Sequence, residues 1–179
     1  MDRRIIIGVD CGVRGGIAFY EPKTKTVCAM SMPNNIGTEK ETIKEIDSSL
    51  RIALCANPML DSIVYVEDVP PYVGVNRPAA RIFKLAKNYG IILGILTALE
   101  TEYKTVRPQE WMKAIGTNKK KHYKTDNAWK NYLKKLAMIY YPVIQSINKR
   151  PKKPTLKTAD ALLILKYAME RERNGSRTV

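Results

Sequence analysis

A chain of 179 residues accommodates one ordinary domain and excludes architectures built from two large lobes facing each other across a cleft. With 45% hydrophobic and 27% charged residues it can close a core, so disorder throughout is excluded. Its 31 Lys and Arg against 17 Asp and Glu leave a net charge of +14, which points to a polyanionic partner, nucleic acid ahead of an anionic membrane surface.

Ile5-Ile6-Ile7-Gly8-Val9 is a continuous apolar run suited to a central strand covered on both faces, and it ends at Asp10. The glycines at 12, 15 and 16 turn the chain into a strand over Ile17 to Tyr20. Glu21 to Lys25 then turns it again into Thr26 to Met32, so three sequential antiparallel strands are expected. Thr38 with Glu41 forms a capping box ahead of a helix whose apolar stripe is Ile43, Ile46, Leu50 and Leu54, stopping near Asn57-Pro58. Ile63 to Val66 reads as a short buried strand that delivers Glu67 and Asp68 before Pro70-Pro71.

A long helix follows through Ile82, Leu85, Tyr89, Leu93, Leu96 and Leu99, with Ala86, Gly90, Gly94 and Ala98 as a small-residue stripe. That stripe suits a close approach, either to the protein's own sheet or to a second copy. Ile91 to Leu99, the longest apolar run, has nine residues against the roughly 20 that cross a bilayer, so no membrane segment is expected and an intracellular location is. Tyr103 to Val106 is a strand, Pro108 opens a brief helix, Asp126 to Ile139 is a basic helix, and 142–154 reads as a loop. Thr158 is placed to cap a last helix through Ala161, Leu162, Leu165, Ala168 and Met169. The expected whole is a single α/β domain over 1–173, three antiparallel strands and then two parallel ones in a mixed five-stranded sheet flanked by helices, with a frayed tail over 174–179. Cys11, Cys28 and Cys55 suggest neither a disulfide framework nor a metal site.

The charge is unevenly spread. Residues 1–100 carry 12 basic and 11 acidic side chains, whereas 101–179 carry 19 and 6, so the halves are +1 and +13. Tyr123, Trp129, Tyr132, Tyr140 and Tyr141 interleave the basic run, where aromatic rings can stack on bases. His122, the only histidine, sits among lysines without an evident carboxylate partner and reads as part of the solvated basic segment.

Asp10 and Glu67 at strand ends, and Asp160 in the first turn of the last helix, occupy places that usually converge. Three ionised carboxylates in one small space repel, and a divalent cation removes the conflict; all-oxygen ligation favours Mg²⁺, with Mn²⁺ able to substitute. Taken singly, Asp10 could instead cap its turn and Asp160 the helix start.

These motifs, GVDCGVRGGIAFY, IVYVEDVPP and KTADALLILKYA with LAKNYGIILGILTALETEYKTVRPQEWMKAIG between the last two, resemble the RuvC-type Holliday-junction resolvases of the ribonuclease H-like superfamily. The matching positions are Asp10, Gly12, Arg14 and Gly15-Gly16 in the first motif, Glu67 in the second, and Ala159, Asp160, Ala161 and Leu162 in the third. The resemblance implies a ribonuclease H-like fold and a homodimeric, Mg²⁺-dependent endonuclease of DNA recombination and repair that cuts two opposed strands of a four-way junction. Asp10, Glu67 and Asp160 would hold a pair of ions. Lys157 stands where the family usually carries a fourth metal-site residue; an ammonium cannot ligate a metal, so either Lys157 contacts the scissile phosphate instead or the second cation is held more loosely. The family's junction-opening wedge falls on Pro70, with Tyr72 the nearest aromatic. Expected DNA contacts are Arg14, Tyr72, Arg77, Lys119, Lys120, Lys121, Lys124, Lys130, Lys134, Lys152 and Lys153. The long lysine-rich stretch suggests a phage or organellar relative. Competing readings are a ribonuclease H-like nuclease acting on RNA or DNA flaps, and a non-catalytic nucleic-acid-binding module.

Overall fold

The computed structural model describes residues 4–33, 37–70, 78–117, 122–146 and 150–175. Its elements run β1 (Arg4–Asp10), β2 (Gly16–Glu21), β3 (Thr26–Ser31), α1 (Glu39–Leu54), β4 (Asp61–Glu67), α2 (Ala79–Ala98), β5 (Tyr103–Val106), α3 (Pro108–Ala114), α4 (Asp126–Tyr140), β6 (Ile144–Gln145), β7 (Pro151–Lys152) and α5 (Ala159–Gly175). The strand order is β5-β4-β1-β2-β3-β6-β7. β1, β2 and β3 are antiparallel neighbours, and β4 and β5 extend the sheet in parallel from the other side of β1.

The expected five strands are all present, but the sheet has seven. The segment read as a loop contributes β6 and β7, two residues each, joined to β3 through the single pairing of Cys28 with Gln145. Strands this short carry no alternating pattern, and Pro151 argues against one. At the other end α5 runs through Gly175, into the stretch read as a tail, and 176–179 lie outside the described residues. No helix among the described residues is long and apolar enough to cross a membrane.

Strand alternation sorts the core into two layers. Ile5, Ile7 and Val9 of β1, with Val64 and Val66 of β4, pack with Ile46 and Leu50 of α1 and Ile92 and Leu96 of α2. Ile6 of β1, with Ile63 and Tyr65 of β4, packs with Trp111 of α3, Trp129 and Leu133 of α4, and Leu162 and Leu165 of α5. Parity therefore assigns Asp10 to the face of Ile6 and Glu67 to that of Ile63 and Tyr65, and both point to the α5 side.

The capping box of α1 is formed as expected, the Thr38 hydroxyl accepting from the Glu41 amide while the Glu41 carboxylate accepts from Thr38 N. At α5 the arrangement differs. The Thr158 hydroxyl reaches back to accept from Thr155 N at 2.9 Å, so the chain begins to coil at Thr155 and Thr158 plays the N3 part of a box.

α5 crosses β1 at Gly8 with no room to spare. A Cβ there would stand 2.5 Å from Leu165 N and 2.6 Å from Ala161 O, both main-chain atoms that cannot give way. Gly8→Ala should therefore push α5 off the sheet and cost about 1–3 kcal/mol, as overpacking does. The denaturant midpoint measures this, and an unchanged midpoint would mean that the helix has slack.

Candidate active site

Each carboxylate of the cluster is delivered by a separate piece of backbone. Asp10 closes β1, and its Oδ1 accepts from Gly12 N at 2.9 Å as the chain turns. Gly15 must be glycine for that turn, since a Cβ would lie 2.2 Å from the Asp10 carbonyl oxygen. Glu67 closes β4, two strand-ends away from β2 across β1, and its Oε1 accepts from the indole Nε1 of buried Trp111 at 3.1 Å. Asp160, buried at 5% exposure, comes in the first turn of α5, which the contact at Gly8 holds against β1.

The three acids line one groove of about 1040 Å³ together with Arg14, Asp68, Pro70, Lys130 and Lys157. Their electrostatics are strained. Burial first, and then the Asp160 charge, push the Asp10 carboxyl up from 3.8 to about 6, against the pull of Lys130 and the Gly12 amide. Burial followed by Asp10 and Asp160 raises Glu67 well above the ordinary carboxylate range, with the Trp111 indole and Lys130 opposing. Lys130 on α4 bonds directly to Asp160 Oδ2; burial disfavours its ammonium, but Asp160 and Asp10 hold it above the usual lysine value. Asp160 Oδ1 is buried with no hydrogen-bond partner.

Of the basic residues expected on DNA, Arg14 is exposed on the groove. Lys134 and Lys152 line a neighbouring hollow of about 490 Å³ that shares Leu156 and Lys157 with it. Lys124 and Lys153 are exposed. Lys119, Lys120, Lys121, Tyr72 and Arg77 lie outside the described residues. Lys130, expected on the phosphate surface, has its ammonium at the acids instead.

The aromatics of the basic half are not spread for stacking on bases. Trp129 is buried, with Tyr123 and Tyr132 packed on it at centroid distances of 5.4 and 5.5 Å, and Tyr140 donates to Ile115 O. His122 is exposed, as its setting suggested. The contacts that sequence reading missed are Trp111 on Glu67 and Tyr89 Oη on Asp68 at 3.0 Å. Trp111 was visible only as an apolar position in a short helix, because its indole partner lies 44 residues away.

No protein-family model matches the sequence, and no curated protein sequence matches it. Solved structures do. Thermus thermophilus RuvC in complex with Holliday junction substrate superposes with a TM-score of 0.61 at 16% identity, covering 97% of both chains. The chain has the RuvC fold. Thermus thermophilus RuvC in a second structure gives 0.57 at 16% identity over 96% of both chains. The yeast mitochondrial Holliday junction resolvase Ydc2 gives 0.51 at 12% identity, covering 97% of this chain and 80% of that one. The resemblance carried by the three motifs thus extends to the α/β architecture.

A carboxyl raised from 3.8 to about 6 binds its proton more tightly in the folded state, so the stability it lends is complete below pH 4 and lost as pH rises through 6. Asp10→Asn retains an acceptor for Gly12 N and escapes that loss. In chelator its melting temperature should gain on the wild type between pH 4 and 7, and a gap independent of pH would show that neither burial nor the Asp160 charge raises Asp10.

Proposed function

We propose that this protein is a divalent-cation-dependent endonuclease that cleaves branched DNA, with the four-way Holliday junction as its substrate. The observation that carries the reading is the meeting of Asp10, Glu67 and Asp160 in one open groove of a strongly basic chain with the RuvC fold. The similar structures are, by their own descriptions, a RuvC bound to Holliday junction substrate and a Holliday junction resolvase.

The donor set suits a hard cation such as Mg²⁺. It is all carboxylate, and Asp160 offers a buried oxygen with no partner. Among the described residues no three acidic, imidazole or thiol side chains are gathered tightly enough to hold an ion as they stand. Asp10, Glu67 and Asp160 would be the ligands on loading. When bound, the cation supplies Lewis-acid charge for phosphodiester hydrolysis. The protein's own groups do the rest: the Gly12 amide and the Trp111 indole orient Asp10 and Glu67, while Arg14 and Lys157 offer positive charge to phosphates along the groove. Lys134 and Lys152 extend that charge beyond Lys157, suiting a strand that leaves the groove in that direction.

Paired cuts in a two-fold substrate call for two sites related by symmetry, so the working form is read as a homodimer. The small-residue stripe of α2 supports this. Ala86, Gly90, Gly94 and Ala98 are exposed, an added Cβ at Gly90 or Gly94 meets nothing within 4 Å, and Phe83 is 67% exposed beside them. The alternative expectation, packing of the stripe on the protein's own sheet, is not what α2 does.

Asp10→Asn, Glu67→Gln and Asp160→Asn should each abolish Mg²⁺-dependent cleavage of a labelled four-way junction while junction affinity stays the same or rises slightly. Substantial cleavage by a folded variant would remove that residue from the site. Flap, duplex and RNA substrates run alongside would redirect the assignment if one of them were cut faster. Gly90→Leu, harmless to the monomer because its surroundings are open, should shift sedimentation toward monomer; an unchanged dimer would place the interface elsewhere.

A further inference from the structure

Lys130 is the one basic side chain among the described residues that is bonded to an acid of the cluster. Its ammonium meets Asp160 Oδ2, and Asp160 Oδ1 has no partner at all. The lysine reaches that place because of how α4 is seated. Trp129, Leu133 and Ala137 bury one stripe of the helix in the core, which turns the positions beside them, 130 and 134, along the groove edge. Lys134 opens on the neighbouring hollow, while Lys130 lines the groove itself. Its side chain keeps 47% exposure, so it is anchored at the ammonium end and has room to swing outward. The groove also holds Asp68 and Asp126, yet the Lys130 ammonium is bonded to Asp160.

We propose that Lys130 is a built-in counter-cation of the acid cluster: its ammonium neutralises Asp160 in the cation-free protein, is displaced when a divalent cation takes that carboxylate, and is thereby freed toward the DNA phosphate. The inference rests on the cation-dependent reading above and adds a competition to it. The pairing occupies one oxygen of Asp160 and leaves the other without a partner, so a cation that takes both must displace the ammonium. It also keeps the fold from carrying three mutually repelling carboxylates when no cation is bound. Once released, the ammonium adds one positive charge to the groove at the step where substrate is to be held, so loading and DNA binding become linked through a single side chain. A displaced partner lowers apparent affinity for the ion, because the bond to Lys130 must be broken in the process.

Calorimetric titration of the full chain with Mn²⁺ and Mg²⁺, without DNA, tests this. Lys130→Met should bind the cation at least fivefold more tightly than the wild type, and Lys130→Arg, which keeps the charge, should stay near the wild-type constant. Equal or weaker binding by Lys130→Met overturns the competition while leaving cation dependence intact. Absence of binding in both proteins overturns the cation-dependent reading and this inference with it. A second measurement needs no variant: acetylation of Lys130 by an amine-selective reagent, followed by mass spectrometry, should rise severalfold on saturation with Mg²⁺ relative to chelator, and an unchanged rate overturns the proposal.

Discussion

The seat of α5 on β1 is the constraint from which the candidate site follows. Gly8 brings the main chain of a helix to within 2.5–2.6 Å of where any side chain would begin, so helix and strand are held at one distance and one rotation. That contact is continuous with the buried run Ala161 to Leu165, none of which is exposed to solvent. Asp160 precedes this run by one residue and Asp10 follows Gly8 by two. A rigid apolar crossing of two elements thereby sets two carboxylates side by side. Glu67 joins them because β4 pairs in parallel with β1, with Val9 opposite Val66, which brings the two strand ends level.

Gathering the acids has an electrostatic cost that the molecule meets in several small ways. The Gly12 amide and the Trp111 indole each give a hydrogen bond to one carboxylate, and Lys130 gives an ion pair to the third. None of these cancels the burial that pushes Asp10 and Glu67 toward their protonated forms. Sites arranged for chemistry commonly hold groups away from their ordinary titration range. The deep, helix-covered sheet beneath provides the stability against which that strain is set.

The basic residues show a division of labour that a total of +14 conceals. Lys130 faces inward to the acids, Lys157 stands between groove and hollow, and Lys134 and Lys152 line the hollow beyond. This is a track of positive charge leading away from the acids, with a spacing set by α4 on one side and the β7-to-α5 segment on the other. The aromatics that alternate with these lysines in sequence serve the opposite purpose. Trp129, Tyr123 and Tyr132 anchor α4 from beneath, and through it the position of Lys130.

The order of elements, the capping box at Thr38 and the three acids at two strand ends and a helix start were legible in the chain, because apolar periodicity and local hydrogen bonding are properties of neighbouring residues. The face each acid occupies was equally implicit, since alternation puts Asp10 with Ile6 and Glu67 with Ile63. The edge strands β6 and β7 were not legible: their pairing depends on β3, more than a hundred residues earlier, and two residues have no period. Nor could the chain distinguish Lys130 from a surface lysine, or Trp129 from a ring open to stack on a base. Composition treats every lysine and every aromatic alike, and only the packing of α4 against α5 decides which side of the helix is core, which is solvent, and which ammonium ends at a carboxylate 30 residues away.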